Sequence, residues 1–179
     1  MSAEDTLSRF LAKKPRISEG VFIAPSAVVV GDVRLGKNSS VWYNSVLRAD
    51  INYISIGEET NIQDGVIGHL ANKLPLLVGK QVTVGHGAVI HACTIEDECL
   101  IGMNATVLDG ARIGKQSIVA AGAVVPVGTQ VPDGSLVAGV PGRIKRTLTD
   151  SQRSSLAGWA EKYLEVSKAH QSLGYQKYV

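Results

Sequence analysis

From Ile95 onward an aliphatic residue returns at every sixth position, through Ile101, Val107, Ile113, Val119, Val125 and Val131 to Val137. Upstream the same spacing links Ile23, Val29, Leu35, Val41 and Leu47, then Ile56 and Ile62, then Val78, Val84 and Ile90. An α-helix buries one face with a period of about 3.6 and a lone amphipathic strand with a period of two. A period of six rich in β-branched residues fits neither by itself. It fits short strands joined by turns and wound into a solenoid whose neighbouring coils share backbone hydrogen bonds. A second column agrees, because the residue two places before each aliphatic is small or β-branched, as at Val33, Ser39, Ser45, Thr60, Ala88, Ala105, Ala111, Ser117, Ala123 and Ser135. Those residues suit a tight interior corner. Glycine often follows the aliphatic, as at Gly36, Gly57, Gly79, Gly85, Gly102 and Gly114, where a sharp turn would favour a missing side chain.

This pattern resembles the hexapeptide-repeat family, in which three hexads make one triangular coil of a left-handed parallel β-helix. The resemblance implies an all-β solenoid over about 20–142, of roughly six or seven coils. After Gly139-Val140-Pro141-Gly142 the repeat stops, and Thr149-Asp150-Ser151-Gln152 has the form of a capping box opening a helix. Leu156, Trp159, Ala160, Tyr163 and Val166 then recur at helical spacing, and Leu173-Gly174 offers a stop. One helix over about 149–173 is expected to lie against the solenoid, weakened by Gly158 at about 1 kcal/mol relative to alanine. The 179 residues fit a single domain.

Charge and composition narrow the partners. Eighteen Lys and Arg against sixteen Asp and Glu leave a net charge of +2, without a basic run to track a phosphate backbone, so nucleic acid is not expected. The opening Met1-Ser2-Ala3-Glu4-Asp5-Thr6 lacks the basic and apolar regions of a secretory signal. No apolar stretch reaches the roughly 18 residues of a membrane span. A soluble cytoplasmic protein is expected. Cys93 and Cys99 are too few for a disulfide scaffold, and each falls in the small interior column, which implies packing.

The repeat breaks three times, with nine residues from Leu47 to Ile56, sixteen from Ile62 to Val78 and five from Ile90 to Ile95. A solenoid takes insertions where they loop outward. These breaks surround Arg48, Asp50, Gln63, Asp64, His69, His86 and His91. Three of the four histidines lie within 23 residues. A single histidine in a β-protein is as often a hydrogen-bonded structural residue as a ligand, but three beside register breaks point to metal, and three imidazoles with an open fourth position describe a catalytic zinc site. Zinc holds nitrogen at about 2.0–2.1 Å, whereas coils stack at about 4.8 Å. His86 and His91, five residues apart on a lattice of six, point from different parts of one coil. A site shared between subunits of a closed trimer would bring them together.

Arg48-Ala49-Asp50, Asn61-Ile62-Gln63-Asp64-Gly65, His69 and Val84-Gly85-His86-Gly87-Ala88-Val89-Ile90-His91 resemble the ordered signature of γ-class carbonic anhydrases and their bacterial relatives, from about Gly20 through the C-terminal helix. The resemblance implies reversible hydration of carbon dioxide to bicarbonate by a hydroxide on a divalent ion. His69 and His91 of one subunit, with His86 of its neighbour, would hold zinc, or iron or cobalt, at each interface of a homotrimer. Arg48 and Asp64 would form an ion pair between subunits, with Asp50 in the same polar network. Gln63 would orient the water and Asn61 the substrate. Tyr163 either matches the family's active-site tyrosine or packs the helix down. The archaeal type carries a glutamate directly after the Arg-x-Asp aspartate and another in an acidic loop after the first histidine. Here those places hold Ile51 and Leu70-Ala71-Asn72-Lys73-Leu74, so slow proton export is expected.

Two other readings compete with this one. Ala138-Gly139-Val140-Pro141-Gly142 resembles the closing segment of hexapeptide-repeat acyltransferases, which use a catalytic histidine and coenzyme A without a three-histidine metal site, and some relatives are linked to thioester hydrolysis. The third reading is a metal-retaining structural trimer with little activity. Of the remaining residues, His170 stands alone near the chain end and reads as solvated. Trp42 covers an edge or an interface. Glu96-Asp97-Glu98 reads as a solvated corner.

Overall fold

Strand pairing follows the hexads. Ile95 lies beside Ile113 and Ile113 beside Val131, while Ile101 lies beside Val119 and Val119 beside Val137, all in parallel and each partner three hexads further along. The computed structural model describes residues 3–173; Met1, Ser2 and the expected helix stop at Gly174 lie outside the described residues. The chain is a left-handed parallel β-helix of about 7 turns carrying helical segments at its C-terminal end. The aliphatic column fills the interior: Val41, Leu47, Ile62, Val84, Ile90, Ile101, Val107, Ile113, Val119, Val125 and Val137 are fully buried. Each such side chain contributes roughly 1.5–3 kcal/mol of hydrophobic stabilisation. The small column is buried beside it. Its hydroxyls are satisfied across coils, as where Thr60 Oγ1 donates to the Gly79 carbonyl at 2.7 Å and Ser45 Oγ to that of Gln63 at 2.6 Å. Ser39 Oγ is buried without a partner.

The glycines that follow the aliphatics serve a different purpose from the expected turn. The left-handed corner falls two residues later, at Asn38, Glu59, Gln81, Asn104 and Gln116, with φ from 52° to 57°. A glycine such as Gly57 is needed because the next coil passes so close that a Cβ there would lie 2.4 Å from the Gly79 backbone. Glu96-Asp97-Glu98 is likewise more than a solvated corner. Arg112 pairs with Glu96 at 2.6 Å, Lys115 with Asp97 at 3.1 Å, and Gln116 donates to Glu98 at 2.8 Å, so each carboxylate ties its coil to the next.

Helix α1 (Ala3–Leu11) and a first strand at Arg16–Ile17 precede the expected start of the solenoid. The junction is held by Asp32, whose side chain is 3% exposed and takes Lys13 at 2.7 Å with Arg16 and Arg34 at 3.4 Å each.

The expected single C-terminal helix is two, α2 (Asp150–Ser154) and α3 (Ala157–Leu173). Thr149 and Gln152 form the reciprocal capping box. The break has a local cause: Ser154 and Ser155 turn their hydroxyls onto the carbonyls of Ser151 and Gln152, a bonding pattern that competes with helix continuation. Leu148 N bonds the Gly134 carbonyl in the last coil, and Gln171 reaches the Val21 carbonyl in the first, so α3 runs back along the solenoid. It covers Phe22, Ala24 and Trp42 with Tyr163 and Val166, which assigns Trp42 to the helix contact. His170 is not solitary. Its Nδ1 lies 2.8 Å from Tyr43 Oη and its ring packs against Trp42 and Phe22, because the returning helix brings it to residues more than a hundred positions earlier. No described helix is long and apolar enough to cross a membrane.

Candidate metal centre

His69 and His91 close two strands, Ile67–His69 and Val89–His91, that pair in parallel with the histidines directly opposite. They are 22 residues apart rather than 18 because this coil carries a small hairpin, in which Ala71 and Leu74 exchange backbone hydrogen bonds and Asn52 Nδ2 donates to the carbonyls of Ala71 and Asn72. The register Leu47–Gly68 on the coil before sets Arg48 beside His69. Asp109 stands one regular coil after His91. The column therefore reads Arg48, His69, His91, Asp109.

The break expected to loop outward between Leu47 and Ile56 is instead one long strand, Val46–Ile56, with a bulge. Gly31 pairs with Ala49 but Val33 with Ile54, and the inward residues switch from Leu47 and Ala49 to Asn52, Ile54 and Ile56. Such an irregularity re-aims side chains. Here it turns Asp50 to His69, with Oδ1 2.9 Å from Nε2, while Arg48 Nη1 donates to the other carboxylate oxygen. Burial pushes the Asp50 carboxyl up, but the hydrogen bonds from His69 and Arg48 outweigh it and hold the group below its ordinary range.

These contacts assign the tautomers. A carboxylate only accepts, so His69 carries its proton on Nε2 toward Asp50, and His91 carries its proton on Nδ1 toward Asp109 Oδ1 at 2.6 Å. The nitrogens that remain, His69 Nδ1 and His91 Nε2, face each other at 3.2 Å, close enough to share a proton when no ion lies between them. Two nitrogens bound at 2.0–2.1 Å to one tetrahedral ion would be about 3.3 Å apart. The pair fits a zinc-like cation.

His86 belongs to a second cluster. It follows the strand Thr83–Val84, with Nδ1 2.8 Å from Asp64 Oδ2 and Nε2 3.4 Å from Tyr163 Oη. The Tyr163 phenol is pushed up by burial and by the Asp64 charge, so it stays protonated and donates. Beside it Gln63 Nε2 donates to Asn61 Oδ1 at 3.1 Å, and Asn61 Nδ2 to Thr83 Oγ1 at 2.9 Å. Both amides are almost wholly buried and held in one orientation. A cleft of about 300 Å³ opens from Gln63 and His86 between the solenoid face and α3, walled mainly by apolar side chains including Leu100, Met103, Ile118 and Trp159.

One chain thus divides the expected site in two. Arg48, Asp50, His69 and His91 form one group, and Asn61, Gln63, Asp64, His86 and Tyr163 the other. Among the described residues no three His, Cys, Asp or Glu side chains converge as a metal site. Within the chain Arg48 pairs with Asp50, and Asp64 with His86. Cys93 and Cys99 are buried, with thiols pushed by burial up to about 12, as packing requires. Asp109 was missed by sequence reasoning, although its step of eighteen from His91 could have found it.

A family model described as bacterial transferase hexapeptide (six repeats) matches residues 14–49 and 92–126. The chain is 44% identical over 178 residues to "Gamma carbonic anhydrase 2, mitochondrial" of Arabidopsis thaliana, across 96% of this chain and 64% of that one. It therefore spans just under two thirds of that relative's length. A Methanocaldococcus jannaschii protein named "Probable carbonic anhydrase" is 48% identical over 156 residues, covering 87% of this chain and 98% of its own. A crystal structure of a hexapeptide transferase family protein from Anaplasma phagocytophilum superposes with a TM-score of 0.82 at 38% identity, over 87% of this chain and 92% of the other.

Proposed function

The chain belongs to the γ-class carbonic anhydrase family, and from that membership we propose that it catalyses the reversible hydration of carbon dioxide to bicarbonate at a divalent-metal centre held by His69, His86 and His91. The observation that carries the reading is the converging pair of ring nitrogens on His69 and His91, 3.2 Å apart. A carboxylate stands behind each ring, as it does behind His86, the arrangement that fixes metal-ligating histidines elsewhere.

His86 stands with Asp64 and Tyr163 rather than with the pair, which supports a third ligand supplied by a neighbouring copy in a homotrimer. Arg48 and Asp64 support this, being oppositely charged with side chains 49% and 39% exposed, and they are assigned to an ion pair across the same interface. Imidazole ligands suit zinc, and iron or cobalt would also be accepted. Such an ion supplies Lewis acidity, lowering the pKa of a water toward about 7 and so providing a nucleophile at neutral pH. Gln63, with Nε2 committed to Asn61, would have its carbonyl oxygen free to orient a water there, and Asn61 would help place the substrate. Tyr163 donates toward His86 in the lone chain and would be freed of that contact if His86 held the ion. Proton export is slow, because Ile51 packs partly against the core and the hairpin after His69 carries no carboxylate.

The apolar cleft favours one second reading. Its volume suits a ligand larger than carbon dioxide, and a thioester with its acyl chain in that cleft would meet the same hydrolytic centre. Metal analysis joined to stopped-flow assays on both substrates tests the proposal. Near-stoichiometric divalent metal with hydration abolished in His69→Ala is expected. Protein that neither contains metal nor takes it up would overturn it, and full metal with no hydration would leave a structural trimer.

A further inference from the structure

Asp109 lies outside the residues to which the resemblance gives a role, yet it makes the shortest hydrogen bond to any of the three histidines, 2.6 Å from Oδ1 to His91 Nδ1. We propose that Asp109 is the positioning residue for His91: by accepting its Nδ1 proton it fixes the tautomer that leaves Nε2 unprotonated, and it sets the angle at which that nitrogen meets the one on His69. This rests on the metal reading above and adds to it a residue one coil beyond the ligands.

Two features of the fold make the contact more than a chance surface pair. The first is rigidity around Asp109. The neighbouring Gly110 N donates to the Ala92 carbonyl at 2.8 Å, directly after His91, and the Asp109 carbonyl accepts from Gly128 N at 2.8 Å on the next coil. Asp109 lies in the tight turn between the strands Thr106–Val107 and Arg112–Ile113, and these backbone bonds tie that turn to the coil on either side, the kind of support that orienting a ligand within a fraction of an ångström demands. The second is exclusivity. Asp50 divides its oxygens between His69 and Arg48, whereas the only ion pair of Asp109 among the described residues is with His91. An imidazole without such an acceptor is free to carry its proton on Nε2 or to turn its ring, and either change removes the lone pair from the metal. A partner of this kind is typically worth about 10–100-fold in metal affinity.

The test is zinc affinity, measured by competition with a chromogenic chelator, for wild type, Asp109→Asn, Asp109→Glu and His91→Ala. Asp109→Asn is expected to weaken binding about 10–100-fold while leaving the metal-free melting temperature unchanged, and Asp109→Glu to recover part of the loss. Nitrogen-15 correlation spectra of the histidine rings are expected to show the Nδ1-protonated form of His91 in wild type and a mixture of forms in Asp109→Asn. Wild-type affinity in Asp109→Asn would overturn the inference, as would a loss that merely follows a fall in the metal-free melting temperature. Failure of the underlying metal reading has its own signature, which is His91→Ala binding zinc as tightly as wild type.

Discussion

Co-refolding His86→Ala with His91→Ala tests whether the metal centre is built from two copies. In the shared arrangement His69 and His91, with nitrogens 3.2 Å apart, come from one subunit, and His86, held 2.8 Å from Asp64, comes from its neighbour. A trimer of either variant alone lacks one ligand at each of its sites. In a mixture, a site is whole when its histidine pair belongs to a His86→Ala chain and its lone histidine to a His91→Ala chain. With equal amounts and random assembly into a closed ring, each condition holds half the time, so about one quarter of the sites regain all ligands. The assay is zinc per chain after dialysis against a chelator strong enough to strip a two-histidine site, with the mixed assembly confirmed by differently tagged chains. Each parent should hold almost none and the mixture about a quarter of the wild-type amount. A confirmed mixed trimer that holds no more zinc than its parents would refute the shared site, and so would a His86→Ala parent that keeps its metal.

Other consequences are open to measurement. Carbon dioxide hydration in weak buffer should be slow and should rise with added imidazole, because neither Ile51 nor the Ala71–Leu74 hairpin offers a proton relay; a fast rate indifferent to buffer would show that another group, such as Tyr163, carries the proton. Ser39→Ala should stabilise the protein by about 1 kcal/mol, since it removes a buried hydroxyl without a partner, and thermal unfolding should register this as an upward shift of about 2–4 °C. Burial pushes the Asp32 carboxyl up, but hydrogen bonds from Lys13 and Arg34 and their charges hold it below its ordinary value. A group depressed on folding contributes stability above its unfolded value near 3.9, lost as pH falls through the folded one. The stability advantage of wild type over Asp32→Asn should therefore be full at neutral pH and shrink below about pH 4, and an advantage independent of pH would contradict the ion-pair account.

A solenoid turns spacing along the chain into stacking in space, and that determines which features could be read in advance. Whatever repeats with the coil was legible, namely the aliphatic and small columns and the burial of Cys93 and Cys99, and so was the capping box at Thr149, whose signal is local. Whatever depends on departure from the repeat was legible only as a location. The nine-residue step after Leu47 was visible, yet nothing in Ala49-Asp50-Ile51 distinguishes an outward loop from a bulged strand, because the choice is made by the partner strand. There Gly31, at φ 83°, lies so near the Ala49 carbonyl that no Cβ would fit. Helix α1 escaped notice for a similar reason. Nine residues carry little periodic signal, and its anchor is a carboxylate at position 32 drawing on cations at 13, 16 and 34. His170 and Trp42 needed the return path of α3, which no local pattern reports. The histidines were legible as a cluster because they flank the breaks, and the division between them follows from arithmetic on the lattice. Four residues beyond a regular coil bring His91 beside His69, whereas eighteen would have brought Gly87 there. The same insertion that makes the pair leaves His86 on another face of the coil, so the pairing of two histidines and the separation of the third are one structural event.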